Sequence, residues 1–337
     1  MTRVYVTHPT GMIDHYFGAR ALRALRAIAD VTCNPHDREL DTDELIAAAQ
    51  GCDAIIAYRQ TPAPRALFAG LPVLAAFLRC AVDIRTVDVA AASAFGVLVT
   101  QASPGFGPAV AEWVVGAMID LARGIGGYAD AYHRGAPPVP RMGRELRGST
   151  LGLIGYGQIA RHLAPVATAL GMRVLVSDPY VRVDAPPPEQ VDAATVLRDS
   201  DYVVCLAPAT ANLIDAAAFA AMKPGACFIN ASRGELVDEQ ALADALASGR
   251  LAGCALDVGR AADQMPTPAL AAHPRVIATP HIGGLTLPAI EHQALETVDQ
   301  LAALLDGRVP TGAVNAAQAT RLARWRASHA SVAPGGR

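Results

Sequence analysis

The 337-residue chain reads as an α/β protein of about two domains with a doubly wound parallel sheet. Three observations predict this. Short apolar runs alternate with helical patterns along most of the chain. One of those runs ends in a glycine turn that opens directly onto a helix. Hydrophobic residues make up 52% and charged residues 18%, which is enough apolar material for two packed cores and too little charge for a disordered chain.

The glycine turn comes first because it carries the most chemistry. Leu151-Gly152-Leu153-Ile154 is strand-like and runs into Gly155-Tyr156-Gly157-Gln158-Ile159-Ala160. In such a turn the first glycine permits the bend and the second lets a pyrophosphate approach the backbone. The small third residue, here Ala160, lets helix pack on strand. A second apolar run, Arg173-Val174-Leu175-Val176-Ser177, ends in Asp178, 21 residues beyond Gly157. A carboxylate there accepts from the adenine-side ribose hydroxyls. Strand, turn, helix and spaced acid together predict a dinucleotide-binding βαβ unit. Asp178 favours NAD over NADP, since it would repel a 2′-phosphate and only Arg182 nearby is basic.

Before this unit, Val4-Tyr5-Val6, Ala54-Ile55-Ile56-Ala57 and Val97-Leu98-Val99 read as strands, and Tyr16 to Ala29 as a helix with Leu22, Leu25 and Ile28 on one face. A long helix is expected over Ala109 to Arg123, then a Gly/Pro-rich loop over Gly124 to Gly143. After Asp178, apolar runs recur at 201–207, 226–230, 253–258 and 276–278, giving a sheet of at least five strands. Leu287 to Leu305 is again helical. The last residues from Ser328, with Pro334-Gly335-Gly336, are expected to be poorly ordered.

The balance of 28 basic and 31 acidic residues, net charge −3, offers no basic block for nucleic acid. The sequence shows neither a long uninterrupted apolar run nor a signal-like N-terminus, so no membrane span is expected and the cytoplasm is the expected compartment. Cys33, Cys52, Cys80, Cys205, Cys227 and Cys254 form no C-x-x-C pair and no metal-ligand spacing, which predicts free thiols and no metal site.

Three polar residues follow predicted strands, where open α/β sheets bind ligands. Arg233 closes Asn230-Ala231-Ser232-Arg233-Gly234, and its planar fork suits a carboxylate and a neighbouring carbonyl. His281, in Thr279-Pro280-His281-Ile282-Gly283-Gly284, can give or take one proton near neutrality. Asp257 ends Cys254-Ala255-Leu256-Asp257-Val258, placed either to orient a nicotinamide carboxamide or to bond a loop.

This order of motifs resembles the D-isomer-specific 2-hydroxyacid dehydrogenase family, most strongly from Val97 to Gly284. The resemblance implies a Rossmann domain, 101–286, inserted into a smaller flavodoxin-like α/β substrate domain built from 1–100 and 287–337, with the active site in the cleft between them. It implies a homodimer, NAD as cofactor, and a small 2-hydroxy/2-oxo acid as substrate. By position it makes Arg233 and His281 catalytic and gives Arg59 and Arg233 to the substrate. It assigns Gly155, Tyr156, Gly157, Gln158, Ile159, Asp178, Pro208, Ala231, Ser232, Asp257 and Gly283 to the cofactor.

Three departures from the family pattern stand out. The family's D-V-F-x-x-E-P supplies a glutamate that pairs with the histidine. Here Ala262 holds that position, with Asp263 and Gln264 as candidate substitutes. Cys80-Ala81-Val82-Asp83-Ile84-Arg85 replaces the usual G-x-G-x-D loop. The loop after Cys205-Leu206-Ala207-Pro208-Ala209-Thr210 is short and lacks the customary histidine before the proline. The expected activity is reversible hydride transfer between NAD(H) and a 2-oxo acid. The alternative is an NAD-binding sensor or corepressor-like protein with little turnover.

Overall fold

The computed structural model describes residues 1–183, 186–208 and 212–330, without the side chains of 328–330. The expectation for the C-terminal tail therefore falls, from 331 on, outside the described residues. The same holds for the loop positions Ala209 and Thr210. The chain divides into two units, Met1–Gly105 with Leu287–Arg337, and Phe106–Thr286.

The first unit holds five parallel strands: β1 (Arg3–Val6), β2 (Asp30–Cys33), β3 (Ala54–Ala57), β4 (Ala76–Arg79) and β5 (Leu98–Gln101). Their order, β2-β1-β3-β4-β5, is the flavodoxin-like one. β3 and β4 are buried at every position, as central strands covered on both faces must be. One core face packs Leu25, Val298, Leu301 and Trp325 on the sheet, the other Leu45, Leu67 and Phe68. The helix expected from Tyr16 instead starts at Ala19, because Gly18 at φ +84° breaks the chain after a single turn at Ile13–Tyr16. Leu287–Leu305 is one helix, as its periodicity predicts.

The second unit holds β6 (Thr150–Ile154), β7 (Arg173–Ser177), β8 (Glu189–Gln190), β9 (Tyr202–Cys205), β10 (Ala226–Asn230), β11 (Leu251–Leu256) and β12 (Val276–Ala278). They form one parallel sheet in the order β12-β11-β10-β9-β6-β7-β8. The strand order reverses between β6 and β9, the switch point of a Rossmann sheet. One face packs on the helices Gly107–Arg123 and Gln158–Ala169, the other on Ala193–Asp199, Ala216–Ala221 and Glu239–Ala247. Part of the loop expected over 124–143 is helical, Ile125–His133. Gly124 at φ +70° ends one helix and starts the next, so the glycine punctuates two helices where a long loop was expected.

All six cysteines are free, and burial pushes the Cys205 and Cys227 thiols up to about 11. No described helix is long and apolar enough to cross a membrane.

The open edge of β5 is covered by the returning chain. Gln101 donates to the Gly312 carbonyl and Val314 to that of Val99. Buried Asn315 accepts from the Val99 amide at 2.8 Å and donates to the Val97 carbonyl at 2.9 Å. Asn315→Ala leaves both backbone groups buried without partners. It should lower unfolding stability by about 2–3 kcal/mol in urea titration.

Candidate active site

All seven strands of the second unit end on the same edge of the sheet, and every candidate residue of that unit stands just beyond one of them. After β6, Gly155 adopts φ +97°, and a Cβ there would lie 2.8 Å from the Leu206 and Ala207 backbone beyond β9. Gly157 differs: it precedes the helix Gln158–Ala169, and a Cβ there would meet nothing within 4 Å. The first glycine thus answers a demand of the fold, and the second leaves open space at a helix N-terminus, which is what a pyrophosphate needs. Gln158 is exposed, Ile159 half-buried and Ala160 fully buried against the sheet.

Asp178, after β7, serves this turn. One carboxylate oxygen accepts from the Tyr156 amide at 2.7 Å, the other from Tyr180 and Val181 at 2.8 and 2.9 Å. Burial pushes its carboxyl up, but the three amides and the Arg161 charge outweigh that and hold it below the ordinary value. Its stabilising contribution is present above the ordinary carboxylate pKa and lost as pH falls through the depressed one. Arg161 lies over the Tyr156 ring at 5.1 Å. Sequence reading missed it, although the first turn of a phosphate-facing helix is a natural place for a cation. Glycine approach, helix N-terminus and ionised acid fit a dinucleotide.

After β9, Pro208 is exposed, and the Ala207 carbonyl accepts from the Ser232 hydroxyl at 2.6 Å, tying the ends of β9 and β10 together. Beyond β10, Ala231 is buried and Asn230 braces the bend: its oxygen accepts from Ser232 at 3.1 Å, and its amide donates to the Arg233 carbonyl at 2.9 Å. Half-buried Arg233 donates through Nη1 to the Ser232 carbonyl at 2.8 Å. Gly234 packs so tightly that a Cβ would stand 2.0 Å from the Gly259 carbonyl oxygen.

Asp257, after β11, is 3% exposed and accepts three hydrogen bonds: Thr279 hydroxyl at 2.6 Å, Ile282 amide at 2.8 Å and Gly283 amide at 2.7 Å. Of the two readings open from sequence, the geometry displays the loop-bonding one. Gly283, expected beside the cofactor, gives its N–H to this carboxylate, and a Cβ there would lie 2.8 Å from Asp257 Oδ2. Between these anchors His281 is held at φ +56°. Its Nδ1 lies 2.9 Å from the main-chain oxygen of Asp263. Of the two candidate substitutes for the glutamate, Asp263 thus meets the ring through its carbonyl. The Gln264 side-chain oxygen is buried with no donor among the described residues. The segment from Gly259 to Met265 therefore touches both Gly234, next to Arg233, and His281.

In the first unit, Arg59 follows β3. Its Nη1 donates to the Tyr16 hydroxyl at 3.2 Å, and its guanidinium lies 5.4 Å from that ring. Fully buried Arg79 braces the same loop, donating to the carbonyls of Tyr58 at 2.5 Å and Thr61 at 2.7 Å and to the Thr86 hydroxyl at 2.8 Å. Burial pulls its pKa down to about 10, so it stays charged at neutral pH. Neither Tyr16 nor Arg79 was read from sequence as part of this loop's support: Tyr16 was read as the start of a helix, and Arg79 sits in an apolar run that gave no polar signal. In the substituted loop, Asp83 and Arg85 pair at 2.8 Å.

Residues 115–283 match the family described as D-isomer specific 2-hydroxyacid dehydrogenase, NAD binding domain. The chain is 38% identical over 271 residues to an (S)-sulfolactate dehydrogenase of Chromohalobacter salexigens, covering 77% of this chain and 87% of that one. It is 31% identical over 270 residues to a hydroxypyruvate reductase of Thermotoga maritima, covering 78% and 88%. Among solved structures, the apo-structure of D-lactate dehydrogenase from Escherichia coli superposes with TM-score 0.81 at 25% identity, over 93% of this chain and all of that one.

The two turn glycines should separate on substitution. Gly155→Ala, at positive φ and against backbone, should destabilise the fold by at least about 1 kcal/mol. Gly157→Ala should unfold within about 0.5 kcal/mol of wild type, yet weaken NADH binding by about 1–3 kcal/mol through overpacking. Thermal unfolding and calorimetric titration of each variant check this.

Proposed function

The chain belongs to the D-isomer specific 2-hydroxyacid dehydrogenases, an NAD-dependent oxidoreductase acting on a small 2-hydroxy/2-oxo acid, and we propose that Arg233 and His281 are its working pair. The observation that supports this pairing is the shared packing of their two loops on the 259–265 segment, at the carboxyl edge of the sheet.

Arg233 binds the substrate carboxylate with its fork and polarises the adjacent carbonyl oxygen. NADH held at this site would supply the hydride for the carbonyl carbon. His281, as imidazolium, gives its proton to the oxygen that becomes the hydroxyl. In the oxidation direction the neutral ring takes that proton back. The net change is one 2-oxo acid, one NADH and one proton giving one 2-hydroxy acid and NAD. Asp178 holds the glycine turn and meets the ribose. Asp257 holds the His281 loop. Gly155, Tyr156, Gly157, Gln158, Ile159, Pro208, Ala231, Ser232 and Gly283 would line the cofactor.

Arg59, fixed by Tyr16, is the first unit's candidate for binding the substrate. A homodimer in the cytoplasm accompanies this reading on the family resemblance.

His281→Asn should lower kcat by about 10²–10⁴-fold with NADH binding retained. Arg233→Lys, which loses the two-pronged contact, should raise KM for the acid and lower kcat together. A panel of 2-oxo acids with NADH, including hydroxypyruvate, glyoxylate, pyruvate and phosphohydroxypyruvate, tests the reading. Oxidation of NADH by at least one acid is expected. NADH binding with no turnover of any acid would return the chain to the sensor reading.

A further inference from the structure

We propose that the main-chain carbonyl of Asp263 is the positioning group of His281, selecting the ring tautomer and aiming Nε2 as the atom that handles the proton. The inference rests on His281 being the proton carrier proposed above, but its test reads the ring itself.

A carbonyl oxygen only accepts. The contact of 2.9 Å between it and Nδ1 therefore places a hydrogen on Nδ1 in both charge states of the ring. The neutral ring then presents the Nε2 lone pair, and the protonated ring presents Nε2–H. Nδ1 is thereby committed to the Asp263 carbonyl.

The backbone around this contact is unusual. Four non-glycine residues among those described have positive φ, and three of them meet here: Asp263 at 53°, Gln264 at 57° and His281 at 56°. Each such residue is costly and persists only where its surroundings overdetermine it. The surroundings do so from both sides. On the loop side, Gly259 donates to the Gln264 carbonyl at 2.7 Å, Ala261 to that of Met265 at 3.0 Å and Met265 to that of Ala262 at 3.2 Å. On the histidine side, Asp257 takes the amides of Ile282 and Gly283. Strain on both partners of one hydrogen bond, held by two separate networks, is the mark of a built alignment. Ala262 is exposed and has no polar side-chain atom to contribute.

The charged groups on segments packed around the ring are Asp257 after β11, Asp263 and Arg260 on the loop, the latter donating to Asn212 Oδ1 and the Val237 carbonyl, and Arg233 and Glu235 on the bend that Gly234 presses against Gly259. A neutral carbonyl at Nδ1 stabilises imidazolium less than a carboxylate at the same place.

The test is ¹⁵N NMR of histidine-labelled protein without cofactor, with His281 assigned by loss of its signals in His281→Gln. The neutral ring should carry its hydrogen on Nδ1, and Asp263→Asn, which leaves the main-chain carbonyl in place, should keep that tautomer. Gly259→Ala, whose Cβ would stand 2.6 Å from Pro266 Cα, should mix the tautomers and lower kcat more than it changes KM. If Gly259→Ala does not fold, the wild-type and Asp263→Asn spectra decide alone. An Nε2–H tautomer in the wild type, or a change of tautomer in Asp263→Asn, would overturn the proposal. Retained turnover in His281→Gln would overturn the proposed catalytic pair and leave the tautomer result standing.

Discussion

A carboxylate withdrawn from water is costly unless donors meet its charge. Asp257 is withdrawn almost completely and met by three donors, all from the five residues Thr279 to Gly283. Those five residues carry His281 in a backbone conformation that an isolated chain would avoid. The energy gained in satisfying the buried charge offsets the cost of the strained turn. The rest of the candidate site depends on this exchange, because it fixes the direction in which the imidazole leaves the sheet.

The same edge works by close approach elsewhere. Gly155 lets β6 come against the end of β9, Gly234 lets the arginine bend sit on Gly259, and Gly283 makes room for the Asp257 carboxylate. At each of these a side chain would collide with backbone or a buried acid. Parallel strands end in register, so loops separated widely in sequence are neighbours here, and glycine sets how near they come. The first sheet uses another device at its own carboxyl edge: a buried arginine, Arg79, satisfies the carbonyls of the loop that displays Arg59. Its charge is spent inside the protein, while Arg59 rests on an aromatic face.

Much of this was legible in the sequence because the signals were local. Continuous apolar runs marked β3, β6, β9 and β10, and the glycine turn with Asp178 marked the cofactor half. What escaped was set by longer-range contacts. β2, with the pattern Asp-Val-Thr-Cys, is a half-exposed edge strand with no continuous apolar run. β8 is two exposed residues long and exists only because β7 offers an edge. The helix after Gly124 was hidden by a glycine that caps as well as breaks. In the site, Arg233 and His281 were visible as polar residues beyond strands. The partner of His281 was not, because a carbonyl has no sequence signature: Asp263 drew notice for its carboxylate and meets the ring with its main chain.

Amide exchange over residues 279–284, compared between wild type and Asp257→Asn, tests the central dependence most directly. Asparagine keeps the shape but loses the charge and one of the two acceptor oxygens. With Asp257 as the clamp, exchange of the Ile282 and Gly283 amides accelerates while the amides of β6 and β9 stay protected, and kcat falls in step with the loosened loop. Unchanged exchange across 279–284 with kcat retained would contradict it, and His281 would then owe its placement to something other than the buried acid.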